Sequence, residues 1–142
     1  MALASMDDDV CRAARRILII GVTGSGKSTH ARAIEDRSGI PAIDVDAMAW
    51  RPGWVKTPDE ELAAAAARVA AGEAWVMDSA WTAIRPVVLP RAELVLAWHF
   101  RSFAAKRSQM LAWEADPDVP PVLRLRTAAE VDQWLAGRRT KG

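Results

Sequence analysis

The chain has 142 residues, of which 51% are apolar, enough to bury the core of about one domain. Nineteen basic side chains nearly balance eighteen acidic ones, and a net charge of +1 gives no electrostatic argument for binding nucleic acid or an anionic membrane. The single cysteine, Cys11, permits no disulfide within the chain. The apolar run at residues 17–20 is far shorter than the roughly 20 residues that span a bilayer. We therefore expect a cytoplasmic protein with no membrane partner.

The first residues predict a lead-in followed by a strand and a helix. Residues 1–14 are polar and acidic, which predicts a flexible N-terminal segment ahead of a single domain over residues 15–142. Ile17–Ile20 is a short apolar run of the kind that forms a strand buried on both faces. The pattern from Lys27 to about Arg37 is helical, and Gly39 follows in the position of a C-terminal glycine cap.

Strand-like and helix-like stretches alternate through the rest of the chain. Further strands are predicted at residues 42–45, 75–78, 93–97 and 122–125. Further helices are predicted at residues 57–71, 100–114 and 127–136. Thr57 is the expected N-cap of the first of these, with Pro58 at its first position. Thr127 and Glu130 match a capping box at the start of the last. The alternation predicts a five-stranded parallel sheet covered on both faces.

The first strand runs into a phosphate-binding motif. Residues 21–28 read G-V-T-G-S-G-K-S and satisfy G-x-x-x-x-G-K-[ST] between a strand and a helix. Glycines let consecutive N–H groups turn toward a phosphate, and the positive end of the following helix adds to the attraction. The predicted nucleotide-binding residues are Gly21, Thr23, Gly24, Ser25, Gly26, Lys27, Ser28 and Thr29. The predicted fold class is therefore a three-layer α/β P-loop NTPase.

Carboxylates follow two of the predicted strands. Asp78 ends the third strand, and with the Ser28 hydroxyl it is the predicted ligand set for the Mg²⁺ that accompanies ATP. Asp44 and Asp46 flank Val45, and on an extended chain both would face the same side. We interpret Asp46 as the functional member, able to accept a proton from a substrate hydroxyl, and Asp44 as a structural cap.

Four segments beside the P-loop carry a family likeness. They are D-x-x-x-W-R-P-G-W at residues 46–54, W-V-M-D at 75–78, R-A-E at 91–93 and a stretch near residues 122–135. With the P-loop they resemble the motifs of the adenylate-kinase-like topology modulation proteins, and this resemblance implies the nucleoside and nucleotide kinase type of the P-loop fold. The resemblance implies that Asp46, Trp50 and Arg51 line the acceptor side and that Arg85 contacts the acceptor or its phosphate. The catalytic residues it implies are thus Lys27, Asp46 and Arg85.

Two departures from that family leave the activity open. The family's W-V-x-D-G-N-Y is replaced here by W-V-M-D-S-A-W at residues 75–81. Only 24 residues, 98–121, separate the fourth strand from the fifth, where kinases of this type carry a lid with arginines. Arg101, Lys106 and Arg107 are the cations of that span, and they equally suit the solvated face of a helix. We expect transfer of the γ-phosphoryl group of ATP to a small molecule, with a nucleotide as one candidate acceptor. The alternative is a nucleotide-binding regulatory module without efficient transfer.

The tryptophans fall into two groups. Trp75, Trp98, Trp113 and Trp134 lie within predicted regular elements and are expected to pack in or near the core. Trp50 and Trp54 lie in a loop beside the predicted crevice, where they would either stack on a base or sugar or hold the loop in place.

Overall fold

The computed structural model describes residues 5–6, 8–21, 27–77, 83–98, 120–125 and 127–138. Its strands, in chain order, are β1 Arg16–Gly21, β2 Ala42–Ile43, β3 Trp50–Arg51, β4 Val55–Lys56, β5 Trp75–Met77, β6 Leu94–Trp98 and β7 Val122–Leu125. Its helices are α1 Asp9–Ala13, α2 Lys27–Ser38, α3 Val45–Ala49, α4 Asp59–Ala70, α5 Arg85–Val88 and α6 Ala128–Gly137. The helix predicted at residues 100–114 lies outside the described residues.

Five of the strands form one sheet in the order β2-β5-β1-β6-β7. Every pairing in it is parallel, and β1 is its centre: Leu18 is in register with Met77 of β5 on one side and Val95 of β6 on the other. The predicted five-stranded parallel sheet is therefore confirmed. Parallel strands need crossover connections, and described helices lie in three of them: α2 between β1 and β2, α3 and α4 between β2 and β5, and α5 between β5 and β6.

The core lies on both faces of this sheet. Side chains of β1 alternate between two buried clusters, because successive residues of a strand point to opposite faces. Leu18 packs with Leu62 of α4 and Val88 of α5, whereas Ile17 packs with Ile34 of α2 and Trp134 of α6. The two clusters confirm a three-layer architecture and a first strand that is buried on both faces.

Helix ends follow the expected chemistry at two places. Gly39 lies just beyond α2 with a φ of +73°, and its N–H donates to the Glu35 carbonyl at 2.8 Å. The Thr127 hydroxyl accepts from the Glu130 N–H at 3.1 Å at the start of α6. The predicted glycine cap and N-terminal cap are therefore confirmed.

The cap predicted at Thr57 is wrong. Pro58 is the N-cap of α4 and makes no side-chain cap bond. The Thr57 hydroxyl instead donates to the Met48 carbonyl at 2.8 Å, and its N–H donates to the Ala49 carbonyl at 2.8 Å. Thr57 is only 8% exposed, so its hydroxyl needs an internal partner, and the carbonyls at the end of α3 supply it.

The N-terminal segment differs from the expected lead-in in its second half. Residues 9–13 form α1, and Cys11 and Ala14 are buried against the face of the sheet that α2 and α6 cover. The burial of these two residues makes this segment part of the core, although its acidic composition predicts an exposed segment. In the part of the chain that the structure describes, no helix has the length and apolar character needed to cross a membrane.

Candidate nucleotide-binding site

The connections that carry the predicted site leave one edge of the sheet. Because the strands are parallel, the chain leaves β1, β5 and β2 at their common carboxyl edge, in three neighbouring positions. The connection from β1 leads to β2 on one side of it, and the connection from β6 leads to β7 on the other. Ligands of open α/β sheets bind at the carboxyl edge where neighbouring connections run in opposite directions. The connection that follows β1, which carries the P-loop sequence, begins at such a point.

The strand and the helix that flank the P-loop are both present. The strand β1 ends at Gly21, and α2 begins at Lys27 and runs for 12 residues. The backbone of Ser28 and Thr29 continues the first turn of α2, which contains no acidic residue. Within its own first turn, the positive end of the helix therefore carries no neutralising carboxylate, a feature that suits a bound phosphate.

Several predicted ligands of this site lie outside the described residues. They are Thr23, Gly24, Ser25 and Gly26 of the P-loop, Asp78 after β5, and the side chains of Lys27, Ser28 and Thr29, whereas Gly21 is described as the last residue of β1. The cations of the lid span, Arg101, Lys106 and Arg107, lie outside them as well. Their roles stay predictions. In the described ranges, no three His, Cys, Asp or Glu side chains are grouped so that they could hold a metal ion.

The two carboxylates after β2 are arranged differently from the extended chain expected for residues 42–45. The strand ends at Ile43, and Val45 already begins α3. Asp44 is the N-cap of that helix and accepts from the Ala47 N–H at 3.2 Å, so its predicted structural role is confirmed. Placement of both carboxylates on one side of a strand is wrong, because Asp46 lies in the first turn of the helix.

Asp46 is exposed on α3, whose other face buries Val45 and Ala49. Burial of these two apolar residues fixes the helix just beyond the carboxyl edge of β2 and leaves Asp46 accessible from solvent. A proton acceptor for a diffusible acceptor molecule needs this access. The catalytic role of Asp46 stays a prediction.

The segment expected to be a loop is a short antiparallel hairpin. Trp50 is in register with Lys56, and Arg51 with Val55, across a turn whose Gly53 and Trp54 have φ of +79° and +61°. A side chain at positive φ costs roughly 1–2 kcal/mol for any residue but glycine, so Trp54 sits in a strained backbone conformation. The hairpin positions both tryptophans beyond α3.

Ion pairs to the start of α4 hold the sides of the hairpin. Arg51 pairs with Glu61, and Lys56 Nζ lies 2.6 Å from the Asp59 carboxylate. Arg51, predicted to line the acceptor side, therefore has a carboxylate partner within the chain. The sequence signal that could have revealed these ion pairs is the acidic run Asp59–Glu61 at the start of α4.

Arg85, the third predicted catalytic residue, begins α5. The fully buried Ile84 and Val88 anchor this short helix to the core on the same face as α4. Burial lowers the pKa of the Arg85 guanidinium, which nevertheless stays charged at neutral pH. A half-buried cation of this kind suits an anionic group, but the contact of Arg85 with a substrate stays a prediction.

Comparison with known proteins gives structural similarity without a family assignment. The gluconokinase from Sinorhizobium meliloti 1021 matches with a TM-score of 0.53 and 23% identity, over 87% of this chain and 90% of that chain. The fold is that of a P-loop kinase. A sugar kinase from Janibacter sp. HTCC2649 matches with a TM-score of 0.42 and 20% identity, over 90% of this chain and 79% of that chain. No protein-family model matches the chain, and no curated protein does.

Proposed function

We propose that this chain is an ATP-dependent phosphotransferase that moves the γ-phosphoryl group of ATP to a hydroxyl group of a small molecule. One observation carries the proposal: the central buried strand ends at Gly21 and the helix α2 begins at Lys27, with a P-loop sequence between them. A chance match to the motif has no reason to fall on a strand-to-helix turn at the divergence of the sheet's connections.

The nucleotide is held by the P-loop and the first turn of α2. Backbone N–H groups of residues 21–26 and the positive end of α2 surround the phosphates, and Lys27 neutralises charge on the β- and γ-phosphates. Ser28 and Asp78 are oxygen donors, the class of ligand that Mg²⁺ prefers. Mg²⁺ held by these two residues would supply positive charge to the phosphate oxygens of ATP.

Transfer then needs an acceptor hydroxyl in line with the γ-phosphorus. The hydroxyl oxygen bonds to that phosphorus while the bond to the β–γ bridging oxygen breaks and ADP leaves. The hydroxyl proton passes to the Asp46 carboxylate, which solvent can reach on α3. Arg85 orients the acceptor or steadies the transferring group by its charge.

The finer assignments follow the sequence resemblance. We propose that the chain is related to the adenylate-kinase-like topology modulation proteins and that it works in the cytoplasm. We also propose that residues 15–142 act as one domain, with α1 docked onto it. The fold similarity to the gluconokinase structure supports the kinase class and leaves the acceptor open.

Calorimetry and turnover separate this function from its alternative, a nucleotide-binding module without efficient transfer. That alternative is favoured by the short connection between β6 and β7, residues 99–121. We expect Mg·ATP to bind the protein and Lys27→Ala to weaken binding at least about tenfold, because a cation on the phosphates is lost. Arg32→Ala, an exposed position on the same helix, is the matched control and should bind ATP as the parent does.

Equal ATP affinity of Lys27→Ala and the parent would contradict the site. Tight ATP binding with no ADP formed in the presence of any acceptor would favour the binding module.

A further inference from the structure

The exposed large apolar side chains of the described residues are concentrated in one place. They are Trp50, Trp54 and Val55, and all three belong to the β3–β4 hairpin. Trp54 is 84% exposed, at the tip of the turn. The ring planes of Trp50 and Trp54 lie at 69° to each other with centroids 6.3 Å apart, so neither ring stacks flat on the other. Clustered exposed apolar surface of this kind marks a binding site more often than a folding requirement.

The hairpin is held firmly at its base. The Thr57 N–H and hydroxyl donate to carbonyls at the end of α3, and Arg51 pairs with Glu61 of α4. These contacts fix both strands, while the tip carries Trp54 in a left-handed conformation that an unconstrained tryptophan would leave. The chain therefore holds the backbone that carries this exposed indole in a defined conformation, and an ordered backbone lowers the entropy cost of binding a ligand there.

The charge of the hairpin and its flanking segments disfavours anionic ligands at the hairpin itself. Residues 44–61 carry five acidic and two basic side chains, a formal net charge of −3. The two basic ones, Arg51 and Lys56, are paired with Glu61 and Asp59. An anionic molecule would be repelled by this segment and would have to displace an existing ion pair to gain a cation there. An uncharged molecule with a planar ring meets neither obstacle.

The hairpin also follows the connection that leaves the sheet beside the P-loop. The segment β2–α3–β3 leaves the same edge of the sheet as β1, with only β5 between β2 and β1. Neighbouring strands are about 4.8 Å apart, so the two connections start roughly 10 Å from each other. Both connections therefore begin at the same part of this edge.

We infer that Trp54 is a stacking platform for the acceptor and that the acceptor is a nucleoside, an uncharged molecule that joins a planar base to hydroxyl groups. The inference rests on the proposed function, since an acceptor presupposes phosphoryl transfer. It names the substrate class: a nucleoside, in preference to a nucleoside monophosphate or a sugar acid. Stacking on an aromatic side chain is available to every base, because each has a π-face.

Calorimetric titration with adenosine, guanosine, cytidine and uridine tests this, in the presence of Mg²⁺, first without and then with a saturating non-hydrolysable ATP analogue. We expect at least one nucleoside to bind and Trp54→Gly to weaken it at least about tenfold, the range found for loss of one base–aromatic stack. Glycine accepts the positive φ, so this variant removes the ring without straining the turn. Trp54→Phe should keep affinity within about threefold. Arg32→Ala, at an exposed position of α2 away from the hairpin, should leave it unchanged.

Four results would overturn the inference. They are absence of binding by all four nucleosides, equal affinity in Trp54→Gly, tighter binding of the 5′-monophosphate or of gluconate than of the nucleoside, and loss of nucleoside binding when the ATP analogue is added. The last would assign the platform to the base of the donor. Failure of the proposed function is distinct from these, because it shows as ATP binding that Lys27→Ala leaves intact.

Discussion

Replacing Arg138 tests whether the N-terminal helix belongs to the folded domain. The guanidinium of Arg138, at the C-cap of α6, donates to the Cys11 carbonyl at 3.2 Å and to the Ala14 carbonyl, and it lies 5.0 Å from the centroid of the Trp134 ring. Burial lowers its pKa, so part of the gain from these contacts offsets desolvation. Arg138→Met keeps the aliphatic stem and removes the charge and both donors.

The expected loss follows from the groups left behind. The Cys11 carbonyl keeps the Trp134 indole N–H at 2.9 Å, whereas the Ala14 carbonyl loses the donor that Arg138 provides. Loss of a charged hydrogen bond costs roughly 1.5–3 kcal/mol. We therefore expect the free energy of unfolding to fall by about 2 kcal/mol and the Tm by roughly 4–8 °C for a chain of this length.

Urea denaturation followed by circular dichroism measures this change. Arg32→Met makes the same substitution at an exposed position of α2 and should change the free energy of unfolding by less than about 0.5 kcal/mol. Equal stability of the two variants would refute the argument that α6 fastens α1 to the core.

The other predictions concern a pair of glycines, a hydroxyl and a thiol. Gly39→Ala should lower the free energy of unfolding by about 1 kcal/mol, because Gly39 has a φ of +73° that alanine disfavours. Gly137→Ala should raise the free energy of unfolding by up to about 1 kcal/mol, because Gly137 lies in a helix with open space around it. Changes of the same sign for the two variants in thermal unfolding would refute this prediction. Thr57→Val should lower the free energy of unfolding by about 1 kcal/mol, and Thr57→Ser should lower it much less, because serine keeps the hydroxyl that donates to the Met48 carbonyl. Equal losses for the two variants in urea denaturation would show that this hydrogen bond contributes nothing to stability. Burial raises the pKa of the Cys11 thiol to about 11, above its ordinary 9.0, so the unfolded chain loses its proton first and stability should fall as pH rises from about 9 to 11. Cys11→Ala should flatten that fall in pH-dependent denaturation, and an unchanged pH profile in this variant would contradict the assignment.

The fold could be predicted from the sequence wherever pattern and turn chemistry agree. Local signals can be predicted without the tertiary structure because each acts within a few residues. They are the apolar run at Ile17–Ile20, the glycine after α2 and the capping residues of α6. The buried strands and their parallel pairing then follow from the alternation with helices.

What could not be predicted depends on long-range contacts. Thr57 looks like a cap in sequence, but its hydroxyl donates to the part-buried Met48 carbonyl at the end of α3, nine residues away in the chain. The acidic start of the chain conceals α1, whose place is decided by Trp134 and Arg138 more than 120 residues later. In the candidate site, Asp44 is a residue type that favours the N-cap of a helix, but the sequence around it also suits a strand. The helix that forms buries Val45 in the core, and such packing is a long-range contact.

The central claim is phosphoryl transfer from ATP held at the P-loop to a small acceptor. Incubation with γ-labelled ATP, Mg²⁺ and a panel of nucleosides, nucleotides and sugar acids, followed by separation of the products, measures it directly. We predict that the label moves to one class of acceptor with the parent protein and with Arg32→Ala, and that Lys27→Ala abolishes the transfer. Label that stays in ATP, or that appears only as inorganic phosphate with every acceptor, would contradict the claim.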